Sequence, residues 1–127
     1  MRTSNVVTWF EIYVDDMSRA KKFYESVLAE EQTDMEVPEG FGGEMVAFPF
    51  VEGAANSSGA LVKHEMGKPS SSGTIVYFAC LDCAEELGRV EAAGGQVLAP
   101  KFPIGEHGFI GIAMDSEGNT IGFHSIS

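Results

Sequence analysis

Apolar residues along the chain switch between two periods. An apolar-rich segment from Val6 to Val14 predicts a first strand. Asp16 then stands where its carboxylate can cap a helix, and Met17, Ala20, Phe23, Tyr24, Val27 and Leu28 follow at spacings of three and four, which predicts one apolar helix face. Short strand candidates follow at Met35–Val37, Met45–Phe50 and Ala60–His64, separated by turn material at Glu39-Gly40 and Glu52–Ser58. The same order then recurs. Thr74–Leu81 is rich in β-formers, Asp82 occupies a second capping position, and Leu87, Val90 and Ala93 form a second inward stripe that Gly94-Gly95 closes. Strands are expected near Gln96–Leu98, Phe109–Met114 and Thr120–Ile126, the last two joined as a hairpin by Glu117-Gly118-Asn119.

The pattern is βαβββ twice, with the two aspartate caps 66 residues apart. It predicts an α+β fold: one domain of 127 residues built from modules at about 5–67 and 73–127. The Ser/Gly segment from Lys68 to Gly73 reads as a flexible link. Neither module has enough apolar surface to stand alone, so each is expected to pack on the other. Hydrophobic residues are 44% and charged residues 21%, a globular balance.

The net charge of −11 changes the range of partners. Such a surface repels phosphate backbones and anionic lipid and attracts cations, so nucleic acid and membranes are disfavoured and a cationic ligand is favoured. No apolar run approaches the roughly 18 residues of a membrane span, and residues 1–7 lack a signal-peptide core; a cytoplasmic location is expected. Cys80 and Cys83 have C-x-x-C spacing, which admits a redox reading, but both also fit as small hydrophobes at a strand end and a helix start. Gly105, Gly108 and Gly111 do not make a dinucleotide fingerprint, because no helix follows them.

The segments VTWFEIYVDDMSRAKKFYESVL and MDSEGNTIGFHS resemble the opening and closing elements of glyoxalase/bleomycin-resistance/dioxygenase (vicinal-oxygen-chelate) modules. GALVKH and VEAAGGQVLAPK resemble a metal-poor branch of that family. The resemblance spans essentially the whole chain. It implies paired βαβββ modules curled as mixed sheet around a cavity, a homodimer, and an activity drawn from a wide set: thioacetal isomerases, ring-cleaving dioxygenases, epimerases, fosfomycin-modifying transferases and metal-free proteins that sequester bleomycin. Metal-dependent relatives carry His or Glu on the first and last strand of each module. Those positions fall on Trp9, Ala60, Val76 and Gly122, none of which is a donor, so neither a metal nor another cofactor is expected.

Strand alternation places Glu11 and Tyr13 on the face of Trp9, His124 on the face of Gly122, and His64 on the face of Ala60. In the catalytic reading Glu11 is a general base and His124 its partner acid or a donor to substrate, facing one shared cavity. The bland alternatives are a structural or solvent-reaching Glu11 and a satisfied core His124. Trp9, Tyr13, His64, Tyr77, Gly122 and His107 are candidate ligand-binding residues: Trp9 by stacking, the tyrosines through their hydroxyls, Gly122 by leaving room, and His107 by gating. Two functions compete. One is a metal-independent lyase or isomerase using Glu11 and His124. The other is a non-catalytic protein that captures a cationic aromatic compound, which the −11 charge favours.

Overall fold

Helix α1 (Met17–Leu28) begins where its cap was expected: the Asp16 carboxylate accepts from the Arg19 amide at 3.0 Å, and Met17, Ala20, Phe23, Tyr24 and Val27 are buried. Helix α2 (Cys83–Val90) repeats the device, with Asp82 accepting from the Ala84 amide at 3.0 Å. These contacts come from a computed structural model that describes residues 2–127.

The strands of the first module are β1 (Phe10–Tyr13), β2 (Thr33–Met35), β3 (Glu44–Ala47) and β4 (Gly59–Lys63); those of the second are β5 (Tyr77–Ala79), β6 (Gln96–Pro103), β7 (Phe109–Met114) and β8 (Thr120–Ser125). They form two four-stranded mixed sheets, ordered β1-β4-β3-β2 and β5-β8-β7-β6, and not a closed barrel. The pairs β1–β4 and β5–β8 are parallel, with Glu11 opposite Ala60 and Tyr77 opposite Gly122; the remaining pairs are antiparallel. Paired residues share a sheet face. Ile12, Leu61, Val46, Phe78 and Phe123 therefore turn toward the helices and into the core, and Glu11, Tyr77 and His124 turn away from them.

The core joins the modules. Phe10, Tyr24, Phe48, Phe78 and Phe123 form one aromatic cluster with ring centroids 5.4 to 6.1 Å apart, in tilted and edge-on arrangements. Phe10 of β1 meets Phe78 of β5 within it.

Several element bounds differ from expectation. β1 and β5 are short: residues 6–9 and 74–76 have β-favouring side chains but lie outside the paired strands. β6 runs on to Pro103 through Pro100, because it is an edge strand with two register shifts and its prolines need not donate to a neighbour. The link at 68–73 is not free. The Ser70 amide donates to Asn119 Oδ1 at 2.8 Å, and Thr120 Oγ1 donates to the Ser71 carbonyl at 2.8 Å.

The turn between β7 and β8 does more than reverse the chain. Glu117 is enclosed, its side chain 0% exposed, and Arg19 of α1 binds it through Nε at 2.6 Å and Nη2 at 3.0 Å. The Asp15 and Asp16 amides also donate to its Oε1, at 2.9 and 2.8 Å. Asp115 accepts from the Glu117 and Asn119 amides at 2.8 and 2.9 Å and from the buried Tyr24 hydroxyl. Burial and the Asp115 carboxylate hold that phenol well above its usual range, so Tyr24 remains the donor. Burial acts to raise the Glu117 pKa, but Arg19, the two amides and Ser116 outweigh it and bring it down to about 2 from 4.5.

A carboxyl with a depressed folded-state pKa adds stability that is complete above its unfolded value and disappears as pH falls through the folded one. From 4.5 to about 2, Glu117 contributes at most about 3 kcal/mol at pH 7, less some screening because Arg19 is 54% exposed. Urea unfolding is expected to show Glu117→Gln destabilised by about 1–3 kcal/mol at pH 7, with the difference shrinking between pH 4.5 and 2. A difference that stays constant across that range would contradict the assignment.

Candidate functional site

β1 and β5 are each the edge of a sheet, and no strand pairing joins them. They meet along a seam whose centre is Phe10 and Val76, and each end of the seam opens into a cleft lined by both residues. The larger cleft is about 700 Å³. Its apolar walls include Val7, Phe78, Ile104 and Ile110; Tyr77 and His124 add an aromatic hydroxyl and an imidazole, and Asn5, Asn56 and Ser57 form a neutral polar rim.

His124 sits on β8 between Ala79 and Ile110, and its Nε2 lies 2.7 Å from the His107 carbonyl oxygen. A carbonyl only accepts, so Nε2 carries the hydrogen and Nδ1 of the neutral ring is an acceptor. The bond ties β8 to the short 3-10 turn Gly105–His107, next to Ile104 in the cleft wall. His107 acts here through its main chain. Tyr77 is 46% exposed, and its ring lies against Gly122 where a Cβ would overlap it. The space left by the missing Gly122 side chain thus belongs to Tyr77 and is not open to a ligand.

The smaller cleft, about 370 Å³, holds Glu11 and Tyr13, with Lys68, Thr74 and Asn119 across from them. Glu11 and His124 both turn away from the helices, but they line separate clefts, and the shared cavity expected from strand alternation is corrected accordingly. Phe10 and Val76 line both clefts and stand between them. Trp9 Nε1 donates to Glu11 Oε2 at 3.2 Å from outside both clefts. His64 is also outside them: Nε2 donates to the Phe41 carbonyl at 2.6 Å and Nδ1 accepts from the Met66 amide at 3.0 Å, so both ring nitrogens hold loops together. The Tyr13 ring packs on Gly67.

The four positions that the resemblance assigns to metal ligands do not fit a metal. Trp9, Ala60, Val76 and Gly122 supply no donor, and among the described residues no three His, Cys, Asp or Glu side chains converge. The redox reading of the cysteines has no chemical support either. Cys83 is fully buried, and burial followed by the nearby Glu86 carboxylate pushes the Cys80 thiol up to about 12, leaving negligible thiolate at neutral pH.

The residues missed by pattern reasoning are the cleft rim at Asn5, Asn56 and Ser57 and the wall at Ile104. They come from loops, where periodicity carries no signal. Glu117 was legible only as part of a hairpin, since a turn carboxylate is ordinarily solvated.

The fold and these clefts define a two-module α+β protein of the glyoxalase type. The profile of the Glyoxalase/Bleomycin resistance protein/Dioxygenase superfamily matches residues 6–123, and the chain belongs to that superfamily. It is 32% identical over 116 residues to proteins of Mycobacterium tuberculosis (strain CDC 1551 / Oshkosh) and Mycobacterium bovis (strain ATCC BAA-935 / AF2122/97), each named "Putative glyoxylase CFP32". The match takes in 90% of this chain and 43% of each relative, so the chain spans less than half their length. Glyoxalase I from Zea mays superposes with a TM-score of 0.69 at 17% identity, over 93% of this chain and 45% of that one. A glyoxalase/bleomycin resistance protein from Albidiferax ferrireducens T118 superposes with a TM-score of 0.67 at 19% identity, over 92% of this chain and 96% of that one. These two likenesses show the fold.

From the donor set, the purified protein is expected to hold no stoichiometric zinc, iron, nickel or manganese after dialysis against a weak chelator. Elemental analysis giving about one tightly held ion per chain would overturn this reading of the four positions.

Proposed function

We propose that this chain is a metal-independent, small-molecule-binding protein that holds a flat, uncharged aromatic compound in the larger cleft. One hydrogen-bond donor of the ligand meets His124 Nδ1. The observation that carries this reading is the cleft lining: apolar walls, a half-exposed Tyr77 ring and one imidazole whose second nitrogen is already committed. Among the described residues the lining includes no carboxylate, so the −11 charge acts on a ligand only at long range, where salt screens it. That favours a neutral compound over the cationic one expected from net charge. The same reading includes a homodimer, since Tyr77 and Phe102 on the sheets and Trp9 just before β1 leave apolar surface open.

A catalytic reading survives in reduced form. Glu11 and His124 lose geometric support as a pair, and His124 remains as a lone base through Nδ1 in an apolar wall.

Indole and benzofuran have nearly the same shape, and only indole has an N–H to donate. Titration of isotope-labelled protein is expected to show saturable shifts around Tyr77, Ile110 and His124, with indole bound about fivefold more tightly, the value of about 1 kcal/mol for a neutral hydrogen bond. His124→Ala is expected to erase the preference, and Tyr77→Ala to weaken both probes. Failure of either probe to saturate, or a preference unchanged in His124→Ala, would overturn the reading.

A further inference from the structure

We propose that the smaller cleft is a second, independent ligand site, and that it takes a small zwitterion of the α-amino-acid class. The two clefts are pseudo-equivalent. The 66-residue offset that relates Asp16 to Asp82 also relates Glu11 and Tyr13, in the smaller cleft, to Tyr77 and Ala79 in the larger. It relates Phe10 to Val76 as well, and those two line both clefts. Each module thus builds one cleft at the open edge of its first strand, and the chemistry of the two has diverged.

The divergence is in charge. Among the described residues the larger cleft has no carboxylate or ammonium group; the smaller has Glu11 and Lys68, and neither of these has an ion-pair partner among the described residues. They form no ion pair with each other, so a molecule carrying both charges can satisfy both: its ammonium toward Glu11 and its carboxylate toward Lys68. One carboxylate oxygen of Glu11 is steadied by Trp9 Nε1 at 3.2 Å, and the other has no donor among the described residues.

The wall opposite β1 is built. Asn119 Nδ2 donates to the Tyr13 carbonyl at 2.8 Å while its Oδ1 receives the Ser70 amide, so one side chain fixes β1 and the 68–73 segment together. Thr120 holds the same segment through Ser71. Phe10, Ile12, Val76 and Ile121 leave an apolar floor suited to a short side chain, and about 370 Å³ admits a small amino acid. Charge balance points the same way: on a chain of net charge −11 a simple anion is repelled, whereas a zwitterion carries no net charge.

The test uses the intact, isotope-labelled chain and L-serine as the probe, with acetate and methylammonium as single-charge controls. L-Serine is expected to give saturable amide shifts at Glu11, Tyr13, Thr74 and Asn119 in the millimolar range, with His124 and Ala79 unmoved. Glu11→Gln and Lys68→Met change exposed positions, and each is expected to weaken the probe at least fivefold. Weaker, non-saturating responses to both controls support the proposal. No saturable shift, equal binding of either control, or affinity unchanged in both variants would overturn it. Because indole occupies the other cleft, the two sites stand or fall independently.

Discussion

The buried carboxylate of Glu117 is the contact on which the rest of the arrangement depends. It lies in a turn of the second module, yet all of its strongest partners, Arg19 and the Asp15 and Asp16 amides, belong to the start of the first helix. A carboxylate beside the N-terminal end of a helix lies at the positive end of the backbone dipole, and here the Asp15 and Asp16 amides just before the helix and Arg19 in its first turn replace the lost water with several donors at once. Asp115 and Asn119 extend the contact to Tyr24, Tyr13 and Ser70. A five-residue turn thereby fixes a helix, an edge strand and the link between modules.

Both clefts follow from that constraint. Since β1 and β5 share no strand pairing, their separation is set from outside: on the core side by Phe10 against Phe78, and at one end by the Asn119 side chain on Tyr13. A seam held this way leaves space at its two ends. In the larger cleft Tyr77 packs on Gly122, a glycine opposite it in the parallel β5–β8 pair, which positions the ring at the cleft without a dedicated partner for its hydroxyl. The larger cleft is thus lined partly by side chains on strands and partly by loop residues that supply its rim.

Much of the fold was legible because it rests on local rules. The aspartate caps, the helical stripes from Met17 to Leu28 and from Leu87 to Ala93 (the second helix stops short of Ala93, at Val90), and the hairpin at Glu117–Asn119 all depend on neighbours in sequence. Strand alternation placed Glu11 with Trp9 and His124 with Gly122 on faces expected to meet in one cavity, whereas the two residues line separate clefts. It could not show that the two residues lie at opposite ends of a seam, because alternation fixes a direction and not a position along or between strands. The same limit applies to the link at 68–73: Ser and Gly predict mobility from composition, and the Asn119 and Thr120 contacts that hold it come from about 50 residues away. The reading of Gly122 as open space erred because the ring that fills it comes from the paired strand.

Native-state hydrogen exchange of the Asp15 and Asp16 amides tests most directly whether the Glu117 contact joins the modules. Both amides precede the helix and have no backbone partner among the described residues, so Glu117 accounts for their protection. If the contact opens only when the molecule unfolds, these two amides exchange as slowly as that of Val14, which is bonded to the Val62 carbonyl in the core sheet. Exchange at the rate of an unprotected loop while Val14 stays protected would contradict the account.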